Sequence, residues 1–352
     1  MKHTDAELKQ WQALPLEIKL LMTKQRIRDW INEWGEDGVY ISFSGGKDST
    51  VLKHIVDNMG YNVPSVFINT GLEYPEIQKF AKSQNNVVTI TPEMRFNEVI
   101  LKYGYPVISK EVSKRIKDGR AAIRNGKENT SYAIQQLNGT YLNKKTGEIS
   151  RQFNMEKWKY LLDAPFKISS YCCDVMKKRP AKKYGKETGR KPFVATMAAE
   201  SRLRATRWKK FGCNAFDEKN PVSTPMAFWT EQDVLHYIKY YNVSYCSVYG
   251  DIISQQGDDD LEGQISVQDW LDDYRQEDVL ITTGCDRTGC IFCVFGCHLE
   301  GEPNRFQRLK ETHPKQYNYC IGGGEMIEGI WQPNKEGLGL GKVLDYIGIK
   351  YE

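Results

Sequence analysis

Six consecutive residues, Ser44-Gly45-Gly46-Lys47-Asp48-Ser49, bring together two glycines, a cation, a carboxylate and two hydroxyls. Gly45 and Gly46 can take backbone angles closed to other residues, so main-chain N–H groups can close on a ligand. Lys47, Ser44 and Ser49 add a charge and two hydroxyls, and the chemistry of such a set is the binding of phosphate oxygens. The flanking segments must position it. Val39-Tyr40-Ile41-Ser42-Phe43 reads as a buried strand, and Val51, Leu52, Ile55, Val56 and Met59 recur behind the loop at helical spacing. The hexapeptide is then a strand-to-helix turn, with the positive end of the helix dipole where a phosphate would sit. It is not a Walker loop: Asp48 follows the lysine, and Ile41 stands where the first glycine of Gly-x-x-x-x-Gly-Lys-Ser/Thr belongs.

Cysteine is the second chemically pointed residue. The chain has nine cysteines, four of them between Gly284 and His298: Cys285, Cys290, Cys293 and Cys297. A Cys-x-x-Cys spacing lets two thiolates reach one metal without straining the backbone. The sequence has no apolar run of membrane length, and Met1-Lys2-His3-Thr4-Asp5 has no signal-peptide core behind it. A cytoplasmic protein without a membrane partner is expected, in which cysteines serve as metal ligands or reactive thiols in preference to disulfides. Cys213 and Cys246 read as small buried apolar residues. His54 reads as a surface residue, while His298 and His313 could approach a metal or cap a helix. Arg305, Arg308 and Lys310 face either an anionic substrate or solvent.

The 352 residues suffice for two domains, or for one with an elaborate insert. A net charge of +4 is unevenly spread. From Lys177 to Lys191 eight basic residues meet one acidic residue, and acidic residues dominate between Asp258 and Asp278. The basic run suits phosphates or nucleic acid, or is a solvated face. Residues 1–37 read as helical, with Ile18, Leu21, Met22, Ile27, Ile31 and Trp34 as the apolar face. Ser65-Val66-Phe67-Ile68 and Val87-Val88-Thr89-Ile90 are two further strands, with Pro192-Phe193-Val194-Ala195-Thr196 a later one. Pro75 and Glu76 suit a helix start, and Thr230 with Asp233 forms a capping box. Strands alternating with helices predict an α/β protein with a parallel sheet covered on both faces, its ligand outside the carboxyl ends of the strands. The predicted organisation is a helical segment over 1–37, a nucleotide-type domain over 38–250 with a helical insert at about 118–163, and a cysteine-rich region over 251–352.

Five stretches carry a family resemblance. The first loop is similar to Ser-Gly-Gly-x-Asp-Ser/Thr, the pyrophosphate loop of enzymes that split ATP between its α and β phosphates. Tyr171-Cys172-Cys173-Asp174 through Pro180 resembles the paired-cysteine motif of sulfonucleotide reductases, and Glu200-Ser201-Arg202-Leu203-Arg204 their Glu-Ser-x-x-Arg segment. Pro225-Met226-Ala227-Phe228-Trp229-Thr230 and Asn69-Thr70-Gly71 through Pro75-Glu76 are close to two more of their motifs. Residues 38–245 therefore resemble the phosphoadenosine phosphosulfate (PAPS) reductase family, which also contains the sulfur-transfer enzymes of DNA phosphorothioation. The resemblance implies a sheet of the adenine nucleotide α-hydrolase type. It implies ATP or a PAPS-like nucleotide held by Ser44, Gly45, Gly46, Lys47, Asp48 and Ser49, with Asn69, Thr70 and Gly71 at the adenosine. Glu200, Ser201, Arg202 and Arg204 would border the anionic end, with Lys47, Asp48 and Arg204 in catalytic roles and Mg2+ accompanying ATP. It also implies a four-iron cluster on Cys172, Cys173, Cys290 and Cys293. The local set Cys285, Cys290, Cys293 and Cys297 is the alternative, and zinc the alternative metal.

Two departures bear on the reaction. Where the reductases carry Gly-x-Arg, this chain has Ala195-Thr196-Met197, and it ends Gly348-Ile349-Lys350-Tyr351-Glu352 without their Glu-Cys-Gly-Leu-His tail. The last cysteine, Cys320, lies in Tyr319-Cys320-Ile321-Gly322 and would need an accessible seat to act as a nucleophile. The expected activity is adenylylation of an acceptor with pyrophosphate release, followed by sulfur transfer, with a sulfur-donor protein and a nucleic-acid acceptor as candidate partners. A sulfonucleotide reductase, and a non-catalytic nucleotide-sensing, nucleic-acid-binding defence component, are the rival expectations.

Overall fold

The sequence Val39–Phe43 is a run of large apolar side chains between two turn signals, and it forms the central strand of a six-stranded sheet. The computed structural model describes residues 2–143, 145–255 and 278–352. The acidic stretch from Asp258 lies, save Asp278, outside the described residues. In chain order the elements that matter are α1 (Asp5–Gln12), α2 (Leu16–Trp34), β1 (Val39–Phe43), α3 (Lys47–Asn58), β2 (Ser65–Ile68), α4 (Pro75–Ser83) and β3 (Val87–Ile90). There follow α5 (Phe96–Tyr103), α6 (Lys110–Arg124), α7 (Tyr132–Leu137), α8 (Arg179–Thr188), β4 (Lys191–Phe193), α9 (Arg202–Phe211), β5 (Asn214–Ala215), β6 (Val222–Ser223) and α10 (Glu231–Tyr240).

The chain divides into two compact units, neither continuous in sequence. The first comprises Met1–Asn69, Glu73–Thr91 and Ala181–Thr288; the second comprises Thr70–Leu72, Pro92–Pro180 and Gly289–Glu352.

In the first unit the sheet order is β3-β2-β1-β4-β6-β5, parallel throughout except for the short edge strand β5. Ile41 is in register with Ser65 of β2 on one side and Phe193 of β4 on the other. Strand order therefore reverses at β1, the topological switch point where open α/β sheets bind ligands beyond their carboxyl ends. The core joins Ile27, Trp30 and Ile31 of α2, Val51, Leu52, Ile55 and Val56 of α3, and Phe193, Trp208, Phe228 and Trp229. Each such side chain removed from water contributes roughly 1.5–3 kcal/mol.

The expected apolar face of α2 needs correction. Ile18 and Leu21 are exposed, and the buried stripe instead includes Leu20, Lys19 and Thr23. Lys19 is tolerated inside because its ammonium bridges both carboxylate oxygens of Asp233, at 2.7 and 2.8 Å, and Thr23 accepts the indole N–H of Trp229. Asp233 also completes the capping box of α10 with Thr230. The later strand is shorter than its sequence suggests, since only Lys191–Phe193 pair along β1.

The second unit holds α6, which starts before the expected insert at about 118–163 and is capped by Ser109. Arg120 stitches α6 to the following segment, donating to the carbonyls of Leu161, Leu162, Ala164 and Phe166 at 2.7–2.9 Å. A π-helical turn over Asp174–Lys178 follows the paired cysteines, and π-turns are enriched at functional sites. The rest of this unit is three short helices (Arg305–Thr312, Pro314–Ile321, Leu340–Tyr346) and a hairpin of Glu325–Ile327 with Ile330–Gln332. No helix of the described residues is long and apolar enough to cross a membrane.

Candidate functional site

In the first unit, Ser44–Ser49 leaves the carboxyl end of β1 and runs straight into α3. Gly45 sits at φ +73°, a conformation that favours glycine, and a Cβ there would meet Ile77 of α4 at 3.0 Å. The turn is tied internally. The Ser44 and Ser49 hydroxyls lie 3.0 Å apart, and the Ser49 hydroxyl donates to the Gly46 carbonyl. Lys47 and Ser49 are buried, and Ser44 is exposed.

The groups that would meet a phosphate already have protein acceptors. The Lys47 ammonium is 2.7 Å from a Glu231 carboxylate oxygen and donates to the Asp286 carbonyl at 2.5 Å. The Lys47 backbone N–H donates to the Tyr249 hydroxyl at 3.2 Å, and that hydroxyl is 2.6 Å from the Thr288 hydroxyl. A strap over 283–288 is held beside Tyr249 by backbone bonds from Gly284 to Tyr249 and from Cys285 to Val248. The strap packs closely because Gly284 lacks a side chain: a Cβ there would come within 2.6 Å of the Val248 carbonyl.

Asp48 Oδ1 is buried and has no hydrogen-bond partner. Burial pushes the Asp48 carboxyl above its ordinary range; Lys47 pulls it back, Glu231 adds to the rise, and Arg287 and Arg204 lower it. Arg204 pairs with Glu200, whose carboxylate also accepts the Met197 N–H at 2.8 Å. Ser201 caps α9 by accepting the Arg204 N–H. Lys47, Asp48 and Arg204 thus share one electrostatic environment, Glu200 and Ser201 hold local backbone, and Arg202 is exposed. Asn69 follows β2 directly, its N–H bonded to the Ile90 carbonyl. Thr70 and Gly71 belong to the second unit, where the Thr70 hydroxyl accepts the Leu72 N–H.

Sequence reasoning did not find Glu231, Tyr249, Asp286, Arg287 or Thr288. Glu231 sits inside the Thr230–Asp233 capping box and carries no signal of its own, and no local pattern points from Tyr249 to a loop some two hundred residues earlier.

The second unit carries a separate cysteine cavity. Its lining includes Cys172, Cys173, Cys290 and Cys293, with Leu72, Phe96, Met176 and Phe292 as its apolar wall. The Cys172 and Cys173 sulfurs are 3.9 Å apart; the Cys172 thiol donates to Cys173 and lowers the Cys173 thiol against burial, with Lys110 and Lys177 adding to the fall. Arg305 donates to the Cys293 carbonyl at 2.9 Å and pairs with Glu300, so it is a positioning residue here. Cys297 is buried and is not part of this lining; Cys285 belongs to the first unit, near the Tyr74 hydroxyl. Among the described residues no group of three or more His, Cys, Asp or Glu side chains has the geometry to hold a metal ion.

Other candidates resolve simply. Cys213 and Cys246 are buried, Cys213 and Cys246 both within the core of the first unit. His54 is half-buried, with its Nδ1 3.0 Å from the Tyr237 hydroxyl. His298 packs edge-on to Trp158, and His313 joins two helices as the end of one and the cap of the next. Cys320 corrects the idea of an accessible seat: it is fully buried, and burial pushes its thiol well up.

A parallel α/β sheet with a glycine-rich, lysine-bearing loop at its switch point defines a phosphate-binding α/β domain. The sequence model of the phosphoadenosine phosphosulfate reductase domain matches residues 38–114 and 128–294, more than half of the chain, and the chain belongs to that family. No curated protein matches it. Among thirty matching solved chains is the phosphoadenylyl-sulfate reductase of Candida auris in a phosphate complex. It is 12% identical, with 70% of this chain and 91% of that chain covered at a TM-score of 0.35.

Proposed function

We propose that the 44–49 loop binds the phosphates of an adenine nucleotide and that the protein cleaves ATP to AMP and pyrophosphate, activating an acceptor for sulfur transfer. The observation that carries the nucleotide reading is the Gly45-Gly46-Lys47 turn at the carboxyl end of β1, where backbone N–H groups, a helix start and a buried ammonium converge. Lys47 holds the phosphate chain, Ser44 and Ser49 donate hydroxyls, and Arg204 and Arg287 stabilise charge on the departing pyrophosphate. Asp48, with a buried oxygen lacking a partner, fits a Mg2+ that neutralises the phosphates.

The four thiols around one cavity fit an iron–sulfur cluster, whose thiolates stand around a cube instead of converging on one ion. Cys172, Cys173, Cys290 and Cys293 would hold it, and bound there it would supply electrons or a cross-link between distant segments. Zinc, the alternative metal, needs four thiolates converging on one ion, and these do not converge so. The same cavity favours a second reading, a sulfonucleotide reductase. Against it stand Met197, buried where an arginine would contact the sulfonucleotide, and Cys320, sealed from solvent.

Pyrophosphate and sulfite separate the readings. ATP-dependent pyrophosphate release abolished by Lys47→Ala is expected. Sulfite formed from PAPS or adenylyl sulfate with a thiol reductant, at turnover and without pyrophosphate, would replace the proposal by the reductase.

A further inference from the structure

The basic run Lys177–Lys191 has no part in the loop chemistry, yet the fold gathers much of it at one place in the first unit. A cavity of about 460 Å³ is lined by Lys182, Lys186, Arg190, Lys191 and Lys219, and no carboxylate contributes to its lining. Its floor is Tyr40 with Pro192, Pro221 and Val222. Those residues begin β1, β4 and β6, so the cavity opens at the amino edge of the sheet. The phosphate loop is at the carboxyl end of β1, and five strand residues put roughly 16 Å between the two.

The charges are built in and largely uncompensated. Lys182 and Lys186 lie one turn apart on α8, with Ala181 and Gly185 leaving the space between helix and strand open. Arg190 is anchored, donating to the Val39 carbonyl at 2.9 Å and lying 3.7 Å from Asp37. Lys191 rests on the Trp34 ring. Among the described residues, Lys182, Lys186 and Lys219 form no ion pair, and all three are exposed. Five like charges around one cavity repel one another, and an arriving anion relieves that cost.

We propose that this cavity and its rim bind the phosphate backbone of duplex nucleic acid, independently of the nucleotide loop. The cations come from α8, the start of β4 and the bend before β6, a spread over three segments that matches consecutive phosphates better than a single anion. Tyr40 is buried, so the floor presents no aromatic face on which an unpaired base could stack, and single-strand recognition is not favoured. Apart from Asn220 and the Tyr40 of the floor, the polar lining is made of cations, which suit phosphates, so binding is expected to be largely independent of sequence and strongly salt-dependent.

The test is fluorescence anisotropy with a mixed-sequence DNA duplex, without ATP, across a potassium chloride series. Each phosphate neutralised contributes about 0.9 to the slope of log affinity against log salt. The triple variant Lys182→Ala/Lys186→Ala/Lys219→Ala is expected to lower that slope by about 2 to 3, with single Lys→Gln variants each lowering it by about 1. Lys47→Ala is expected to bind the duplex like the wild type even where it loses ATP, which separates this site from the nucleotide loop. An unchanged slope in the triple variant, no duplex binding by the wild type, or an equal loss in Lys79→Ala/Lys82→Ala on α4 would each overturn the proposal. So would tripolyphosphate binding that the duplex fails to displace.

Discussion

Glu231→Gln is the sharpest perturbation of the proposed nucleotide loop, because a phosphate bound there would compete with this carboxylate for Lys47. Its oxygen lies 2.7 Å from the Lys47 ammonium, and the side chain is 42% exposed. A phosphate reaching the same ammonium would come within about 5 Å of it, a repulsion of roughly 3 kcal/mol at an effective dielectric of 20. Solvent at the exposed carboxylate reduces this to about 1 kcal/mol, or roughly fivefold in affinity. Calorimetric titration of ATP in EDTA, which removes Mg2+ from the comparison, should therefore show tighter binding by Glu231→Gln than by the wild type. The gain should shrink in a Lys47→Ala background, where the shared ammonium is absent. Unchanged or weaker binding by Glu231→Gln would refute the competitor argument and make Glu231 part of the ligand's own shell.

Lys47→Ala alone should weaken ATP by about ten- to a hundredfold, the value of one charge-assisted phosphate contact, in the same titration. Lys19→Met leaves the buried Asp233 without its partner and should cost about 3–5 kcal/mol in urea unfolding. Cys172→Ser and Cys290→Ser, purified without oxygen, should lose iron and sulfide by chemical analysis while Cys297→Ser keeps them; the reverse pattern would move the cluster. His54 is held below its ordinary range by burial, with Asp57 opposing. The unfolded chain therefore takes up more protons just below about pH 6.5, so stability rises with pH across that window and is lost as pH falls. His54→Gln should lose less stability than the wild type between neutral pH and about pH 5, read from urea midpoints.

The strands β1, β2 and β3 are legible to the residue, because each is a short apolar run closed by turn signals; β1 and β2 are buried as their sequences announce, whereas the edge strand β3 stays half-exposed. The loop and the Thr230 capping box are legible for the same reason: their geometry is local. What escapes is tertiary. The stripe on α2 is misjudged because Lys19 and Thr23 are buried by partners more than two hundred residues away. β5 and β6 have two residues each, too few to show a period. Tyr249 and the 283–288 strap reach the loop through contacts that no spacing encodes. The two cysteine pairs could be placed together only by family resemblance, since the sequence alone offered a local set equally well. Cys320 carries no local mark of its burial.

The position of β1 has a consequence for synthesis. Its two neighbours come from opposite ends of the unit: β2 begins at Ser65, whereas β4 begins at Lys191. A ribosome adding about 5–20 residues per second leaves one side of β1 without its partner strand for roughly 6 to 25 s after β2 has emerged. Throughout that interval a row of unpaired amides on an apolar strand is a template for another nascent chain. The parallel order that creates the ligand crevice thus gives the newborn protein a long vulnerable period, and binding of nucleotide cannot shorten it. A chaperone that shields exposed strand edges should matter more to the yield of this protein than to one whose sheet closes in the order it is made.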